Sequence, residues 1–277
     1  MGKIKKWTEE ELSILKNNYE KEPNEKIEKM LNRSRDAIIL KANQLKIKKN
    51  HVKSRLGDLS FLLKDEMVAY YWIGFIFADG YINHETKRLK ITVSEKDFCV
   101  LEDFKNLCNF SGKIKYTEKL TNFGHSKTVS ISIQDKKIIS ELIDKFDFKK
   151  SKTYNPPKNF NFLLKNDLFL SFLIGYIDGD GNISKQHKRK DCYIRIKVHK
   201  NWIFFISFLK KRLEEIMKIS TGEVKINKEG YCCWSISNFI LIKKIKKFML
   251  ENNIKAMKRK WDVVDLNYIN RTEKLII

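Results

Sequence analysis

The chain has 277 residues, 42% of them hydrophobic and 32% charged, with few glycines and prolines. That balance fits one or two globular cores plus a small module and excludes collagen-like, low-complexity and linker-dominated chains. The formal net charge is +22, with lysines spread over the whole length rather than gathered on one helix face, so nucleic acid is the expected partner, ahead of a membrane surface. The apolar runs are too short or too interrupted to span a bilayer. The basic start from Met1 to Lys6 runs into Trp7-Thr8-Glu9-Glu10-Glu11 where a signal peptide needs an apolar stretch, and a cytoplasmic location is expected. Cys99, Cys108, Cys192, Cys232 and Cys233 show no C-x-x-C spacing and read as reduced residues rather than zinc ligands.

In chain order, Thr8 and Glu11 form a capping box with Trp7 as a staple, and Leu12, Leu15 and Tyr19 continue the apolar face of a first helix. Pro23-Asn24 opens a second helix carrying Ile27, Met30 and Leu31. Ser34 caps a third, with Ala37, Ile38, Ala42 and Leu45 facing inward. These elements, with W-T-x-E-E at the start and R-S-R-D-A-I-I-L-K-A-N-Q-L at the end, resemble a helix-turn-helix or Myb-like DNA-binding domain over residues 1–50. The resemblance implies that Arg35, Asp36, Ile39 and Asn43 lie on the exposed face of a recognition helix, Arg35 and Asn43 touching DNA. Residues 51–59 belong to a basic linker that begins near Lys46.

From residue 60 the sequence repeats itself. One helix ends Trp72-Ile73-Gly74-Phe75-Ile76-Phe77-Ala78-Asp79-Gly80, and another ends Leu173-Ile174-Gly175-Tyr176-Ile177-Asp178-Gly179-Asp180-Gly181. After the first come strands Tyr81–His84 and Leu89–Ser94, a helix from Asp97 to Asn109, strands Lys113–Thr117 and Thr128–Gln134, and a helix from Lys136 to Phe146. After the second come Asn182–Lys185 and Tyr193–His199, Trp202–Met217, Glu223–Asn227 and Cys232–Ser237, then Phe239–Leu250. The order αββαββα thus occurs twice, over 60–153 and 161–277, with 154–160 as the link, and the expected class is α+β with two pseudo-symmetric halves.

Gly74 and Gly175 allow two helix backbones to approach closely, and Gly80 and Gly181 read as left-handed helix stops. Asp79 and Asp180 then stand at the negative ends of two helices and, once the helices pack, beside each other. A local rule broken twice in equivalent places points to function, and hard divalent cations relieve such a pair. In the strands, Lys90 and Thr92, Lys113 and Lys115, Ser132 and Gln134, Arg195, Lys197 and His199, and Lys225 with Asn227 alternate with apolar residues. Each strand therefore shows one wet face rich in cations and hydrogen-bonding groups, suited to the major groove.

The two nonapeptides, each heading the same series of elements, resemble the signature of the LAGLIDADG homing endonucleases. The resemblance implies two saddle-like sheets on double-stranded DNA with a long non-palindromic site, and a monomer that cuts one phosphodiester per strand. It also implies two or three Mg²⁺ ions, replaceable by Mn²⁺, held by Asp79 and Asp180 with Gly80 and Gly181. A lysine late in each half is implied near the metals. Among Lys149, Lys150 and Lys152 the choice falls on Lys152, and among Lys258, Arg259 and Lys260 on Lys258. Asp178, at the sixth motif position, is expected to hydrogen-bond nearby backbone, and Phe77 replaces it in the first half. Two other activities stay open on the same fold: an RNA-splicing maturase and a nuclease-inactive DNA-binding regulator.

Overall fold

The computed structural model describes residues 6–22, 24–47, 57–121, 124–185 and 191–269. Pro23 and most of the expected basic linker lie outside them. The chain separates into two compact units, Met1–Leu56 and Gly57–Ile277, each with its own apolar core.

The first unit holds α1 (Glu9–Asn18), α2 (Asn24–Leu31) and α3 (Arg35–Gln44). The capping box is complete: Glu11 N–H donates to Thr8 Oγ1 at 3.2 Å and Thr8 N–H donates to Glu11 Oε2 at 2.9 Å. Leu15, Tyr19, Ile27, Leu31, Ile38 and Ala42 form the core, whereas Met30 is exposed. Arg33, in the basic turn, donates to both Glu11 oxygens and lies 4.3 Å over the Trp7 ring. It ties the end of α2 to the cap of α1.

The second unit begins with α4 (Met67–Asp79), β1 (Gly80–Asn83), β2 (Arg88–Ser94), α5 (Phe98–Leu107), β3 (Lys115–Thr121), β4 (Gly124–Gln134) and α6 (Lys136–Phe146). The series returns as α7 (Asn166–Asp180), β5 (Gly181–Lys185), β6 (Cys192–His199), α8 (Ile203–Met217), β7 (Lys225–Ile226), β8 (Tyr231–Ile236) and α9 (Phe239–Glu251), with a short α10 (Lys258–Trp261) after it. Each half forms a four-stranded antiparallel sheet, in the orders β1-β2-β4-β3 and β5-β6-β8-β7. Leu89, Ile91, Val93, Val129, Ile131 and Ile133 bury one face of the first sheet, as Ile194, Ile196, Trp234 and Ile236 do in the second. The outer hairpins differ: β3 and β4 run for 7 and 11 residues, β7 and β8 for 2 and 6. Lys113 therefore precedes its strand and Asn227 follows its own.

At the centre α4 and α7 pack backbone to backbone. A Cβ on Gly74 would lie 2.0 Å from the carbonyl oxygen of Phe172, and one on Gly175 would lie 1.9 Å from that of Tyr71. Gly80 and Gly181 are not left-handed stops. Their φ, ψ values are −75°, 153° and −82°, 149°, extended geometry open to any residue. Glycine is needed for space, since a Cβ on Gly80 would stand 2.7 Å from the Cα and carbonyl oxygen of Ile76, and one on Gly181 2.6 Å from the carbonyl oxygen of Ile177. The chain leaves the helix directly into the sheet, so each carboxylate sits where helix, strand and partner helix meet.

The seventh motif positions, Ala78 and Gly179, face each other. A Cβ on Gly179 would be 2.2 Å from that of Ala78, so the crossing holds one methyl group and not two. Gly179→Ala is expected to destabilise the second unit by about 1–3 kcal/mol through overpacking, and Ala78→Gly in the same chain to recover most of the loss. Denaturant unfolding of both single variants and the double variant measures this coupling; purely additive effects would contradict the shared-methyl geometry.

Candidate metal and nucleic-acid site

Asp79 and Asp180 end α4 and α7 side by side. Both are exposed at the surface, and neither makes a hydrogen bond or ion pair among the described residues. Their tips reach water while their flanks are crowded by protein. Crowding raises the Asp79 pKa from its ordinary value, against the pull of Lys260 and Lys152. The same loss of water, reinforced by the charge of Asp79, pushes Asp180 up to about 6.

Beneath them lie two buried ammonium groups. Lys152 Nζ donates to the carbonyl oxygens of Ile76 at 3.0 Å, Ala78 at 2.5 Å and Gly80 at 2.6 Å. Lys260 Nζ shares its three N–H groups among those of Ile177 at 3.1 Å, Asp178 at 2.5 Å, Gly179 at 3.2 Å and Gly181 at 2.6 Å. The carbonyls of Ala78, Asp178 and Gly179 are last-turn groups without a partner inside their helices, those of Ile76 and Ile177 also accept from Gly80 N–H and Gly181 N–H, and those of Gly80 and Gly181 open the strands. Each lysine thus satisfies a helix end and sets positive charge against the dipole that disfavours the carboxylate above it. Burial lowers the Lys152 pKa to about 8 even though Asp180 and Asp79 pull it upward, and it lowers that of Lys260 too.

The counterpart of Lys152 is therefore Lys260 and not Lys258, whose exposed Nζ pairs with Asp262 at 2.6 Å. The α10 helix turns Lys258 outward and Lys260 inward. No sequence signal separated them: Lys152 and Lys260 each end a short run of cations, and the turn of α10 decides which residue of its run faces the motif. Gly80 and Gly181 stand beside the acids as expected, but their carbonyl oxygens already accept from the lysines.

The sixth motif position differs between the halves in a matched way. Asp178 is buried, and its carboxylate accepts from Tyr71 Oη at 2.8 Å, Met257 N at 2.7 Å and Trp261 Nε1 at 2.8 Å. Burial raises its pKa to about 6, against those donors and the charge of Lys260. The expected backbone bond is present, from Met257 far along the chain, and the two side-chain donors complete a clamp that reaches α4 and the end of the second half. Phe77 instead stacks on Phe148 at 4.2 Å and meets Phe172, the counterpart of Tyr71, at 5.5 Å. Further contacts join the halves, two of them at matched places. Arg259 donates to both Asp97 oxygens at 2.9 Å, and Trp202 Nε1 donates to the carbonyl oxygen of Thr153 at 3.0 Å.

The open sheet faces carry the alternating residues expected there. In the first sheet Lys90 lies opposite Ser132, Thr92 opposite Ser130 and Lys115 opposite Ser130. Arg88 and Gln134 extend that face; Gln134 also donates to the carbonyl oxygen of Thr86. Thr117, Lys119, Ser126 and Thr128 continue it along the long hairpin. In the second sheet Arg195 lies opposite Ser235 and Lys197 opposite Cys233, with His199 at the strand end and Lys225 on β7. Lys197 is paired with Glu229 at 2.7 Å and Lys225 with Glu223 at 3.0 Å, so this face is less free of acids than the alternation predicts. Asn227 folds back to accept from the backbone of Glu229 and Tyr231. Arg35 and Asn43 are exposed on α3 of the first unit, with Ile39 half-buried.

Residues 173–269 match the family model described as LAGLIDADG endonuclease. Among solved structures, the homing endonuclease I-WcaI bound to its DNA recognition sequence is 17% identical, over 72% of this chain and 87% of that one, with a TM-score of 0.53. I-SmaMI bound to an uncleaved DNA target with calcium ions is 18% identical, over 68% and 86%, with a TM-score of 0.46. Full-length WhiA from Thermatoga maritima is 14% identical, over 77% and 65%, with a TM-score of 0.45. No curated protein matches significantly. At these identities the structures speak for the fold, and the I-WcaI likeness carries that argument. Residues 173–269 are thus similar to the LAGLIDADG endonuclease model, and the duplicated α+β unit around them has the fold of I-WcaI.

Proposed function

We propose that this chain is a site-specific endonuclease of double-stranded DNA that hydrolyses one phosphodiester in each strand with divalent cations. One observation carries the reading: two carboxylates with no hydrogen-bond or ion-pair partner among the described residues stand side by side between two cation-bearing sheet faces. The donor set fits Mg²⁺, with Mn²⁺ as a substitute. Two acidic oxygen donors with open water around them leave most of an octahedral shell to solvent and phosphate, as this ion prefers. Among the described residues no cluster of three or more His, Cys, Asp or Glu side chains competes for a softer metal. Asp79 and Asp180 would hold the cations, which supply positive charge to the scissile phosphate and acidify a bound water.

The chain's own groups do the positioning. Lys152 and Lys260 fix the helix ends, so the carboxylates need no rearrangement when a phosphate arrives, and their charge favours the developing negative charge. The sheet faces hold the duplex by phosphate contacts and groove-facing side chains, Lys90, Thr92, Lys115, Ser132 and Gln134 on one side and Arg195, Lys197, His199 and Lys225 on the other. Both halves lie in one polypeptide, so a monomer is sufficient for both strands, on a long site that need not be palindromic. The three-helix unit reads as a helix-turn-helix module that adds contacts through Arg35 and Asn43 of α3.

Asp79→Asn and Asp180→Asn are each expected to lower double-strand cleavage by at least about a hundredfold while duplex binding stays within a few-fold. Gel assays on plasmid substrate measure both. Cleavage at the wild-type rate by either variant contradicts the reading, and nicking by one of them would show two separate centres.

Without divalent cation, the raised Asp180 pKa has a consequence for stability. The folded chain holds this proton more tightly than the unfolded one, so the stabilisation is present below about pH 4 and is lost as pH rises through about 6. Asp180→Asn should therefore melt several degrees above wild type at pH 7.5 in EDTA and with it at pH 3.5. Millimolar Mg²⁺ should raise the melting temperature of wild type at pH 7.5 and do much less for the variant. A wild-type melting temperature indifferent to Mg²⁺ would count against cation binding here.

A chain starting at Gly57 retains the second core, both acids and both sheets. It is expected to cut the same bonds, bind its site about 10²–10⁴-fold more weakly and give a footprint shortened at one end. Equal affinity and footprint would show that the first unit does not read DNA.

A further inference from the structure

Beside the second sheet lies a cavity of about 760 Å³ that the proposed cleavage does not use. Its lining includes Tyr154, Phe160 and Phe204 with Lys149, Lys150 and Lys158, and no acid. Phe204 is 80% exposed and Tyr154 59% exposed. Isolated exposed aromatics need no explanation, but two converging on one basic cavity do. Lys149 is bonded to Asp147 and Lys150 lies 3.8 Å from Glu85, which leaves Lys158 as the cation outside those pairs. Tyr154 packs edge-on against His199 at 4.9 Å, and its carbonyl oxygen accepts from Asn201 at 2.8 Å. Tyr154 thus links the cavity to His199, at the end of β6.

The duplicated fold does not require this feature. Phe204 is the second residue of α8, and the second residue of α5 is Cys99; Tyr154 follows Lys152 by two positions, and Asp262 follows Lys260 by two. The equivalent place in the other half thus has a thiol and a carboxylate where this one has two rings, and it is crossed by the Arg259–Asp97 pair. Among the described residues, the two rings of this lining have no counterpart at the equivalent place in the other half.

We propose that this cavity binds an unpaired nucleotide of a single-stranded nucleic acid, its base stacked on Phe204 and Tyr154 and its phosphate near Lys158. Exposed rings accept any base by stacking, and lysines around them track the backbone, the pairing that single-strand binders use. A duplex offers no free base face to these rings. The proposal shares the basic face of the preceding reading but not its chemistry, so it stands or falls apart from cleavage.

The test uses the full chain and fluorescence anisotropy with labelled dT20, rU20 and a random 30-base-pair duplex at 0.15 M salt. Phe204→Ala and Tyr154→Ala change no charge and remove exposed rings. Each is expected to weaken dT20 binding roughly five- to a hundredfold, the loss of one stacking partner, with duplex binding within twofold of wild type. Asp79→Asn/Asp180→Asn should bind dT20 as wild type does, which separates this result from any failure of the nuclease reading. Tighter binding of rU20 than dT20 would identify RNA as the source, and the reverse DNA; either supports the site. Unchanged dT20 binding in the Phe204→Ala/Tyr154→Ala double variant overturns the proposal. So does an equal loss on duplex, which would make the cavity a flank of the duplex surface, or a wild-type dimer in sedimentation that Phe204→Ala dissociates, which would make it a self-association face.

Discussion

The duplicated unit depends on one close approach, the contact of α4 and α7 at Gly74 and Gly175. Carbonyl oxygens of each helix occupy the space that a Cβ on the other would fill. That approach brings two helix C-termini together, with their orphan carbonyls and two carboxylates, at the boundary of two sheets. Taken alone, the arrangement is electrostatically poor, because like charges and like dipole ends meet. Lys152 and Lys260 make it tenable from below by donating to the carbonyls. Among the described residues no side chain plays that part above, where the carboxylates meet water. The site is thus incomplete on its outer side in a way that a divalent cation and a phosphate match in charge.

The two halves reach this common geometry by different packing. One sixth-position side chain is a carboxylate held by Tyr71, Trp261 and a backbone N–H, and the other is Phe77 in a stack of rings. The partners change with it, Tyr71 standing where the other half has Phe172. A buried carboxylate without its donors, or a phenyl ring facing them, would each cost several kcal/mol. The substitutions therefore belong to one another, and the asymmetry reflects matched packing more than a damaged half. The contacts between halves are unequal too: a bidentate Arg259–Asp97 pair on one side, an indole bonded to backbone on the other.

The element order, the strand faces and the central acids were legible in the sequence because they rest on period and repetition, which survive any detail of packing. The sheets place Lys90, Thr92, Arg195 and Lys197 on open faces because the alternation fixes them there. The late lysine of the second half was not legible. Lys258, Arg259 and Lys260 are alike in chemistry, and a single turn of helix decides which faces inward. The conformation of Gly80 and Gly181 was misread for a related reason. A glycine after a helix suggests a left-handed stop, whereas here the constraint is the crowding of the preceding turn, visible only once β1 and β5 are seen to leave at once. Strand ends went wrong at the outer hairpins, where alternation runs past the pairing in one half and short of it in the other.

The cations divide into two populations that composition alone cannot separate. Lys152, Lys260 and Arg33 spend their donors on carbonyls and carboxylates inside the fold. Lys90, Lys115, Lys119 and Arg195 stand on open faces. The formal charge of +22 therefore overstates what is free to meet phosphate. It also explains why cations recur at both levels. A fold that places two acids on two helix ends needs buried positive charge to exist, and a surface that meets a polyanion needs exposed positive charge to work. The same residue type answers both demands, and burial alone decides which one it serves.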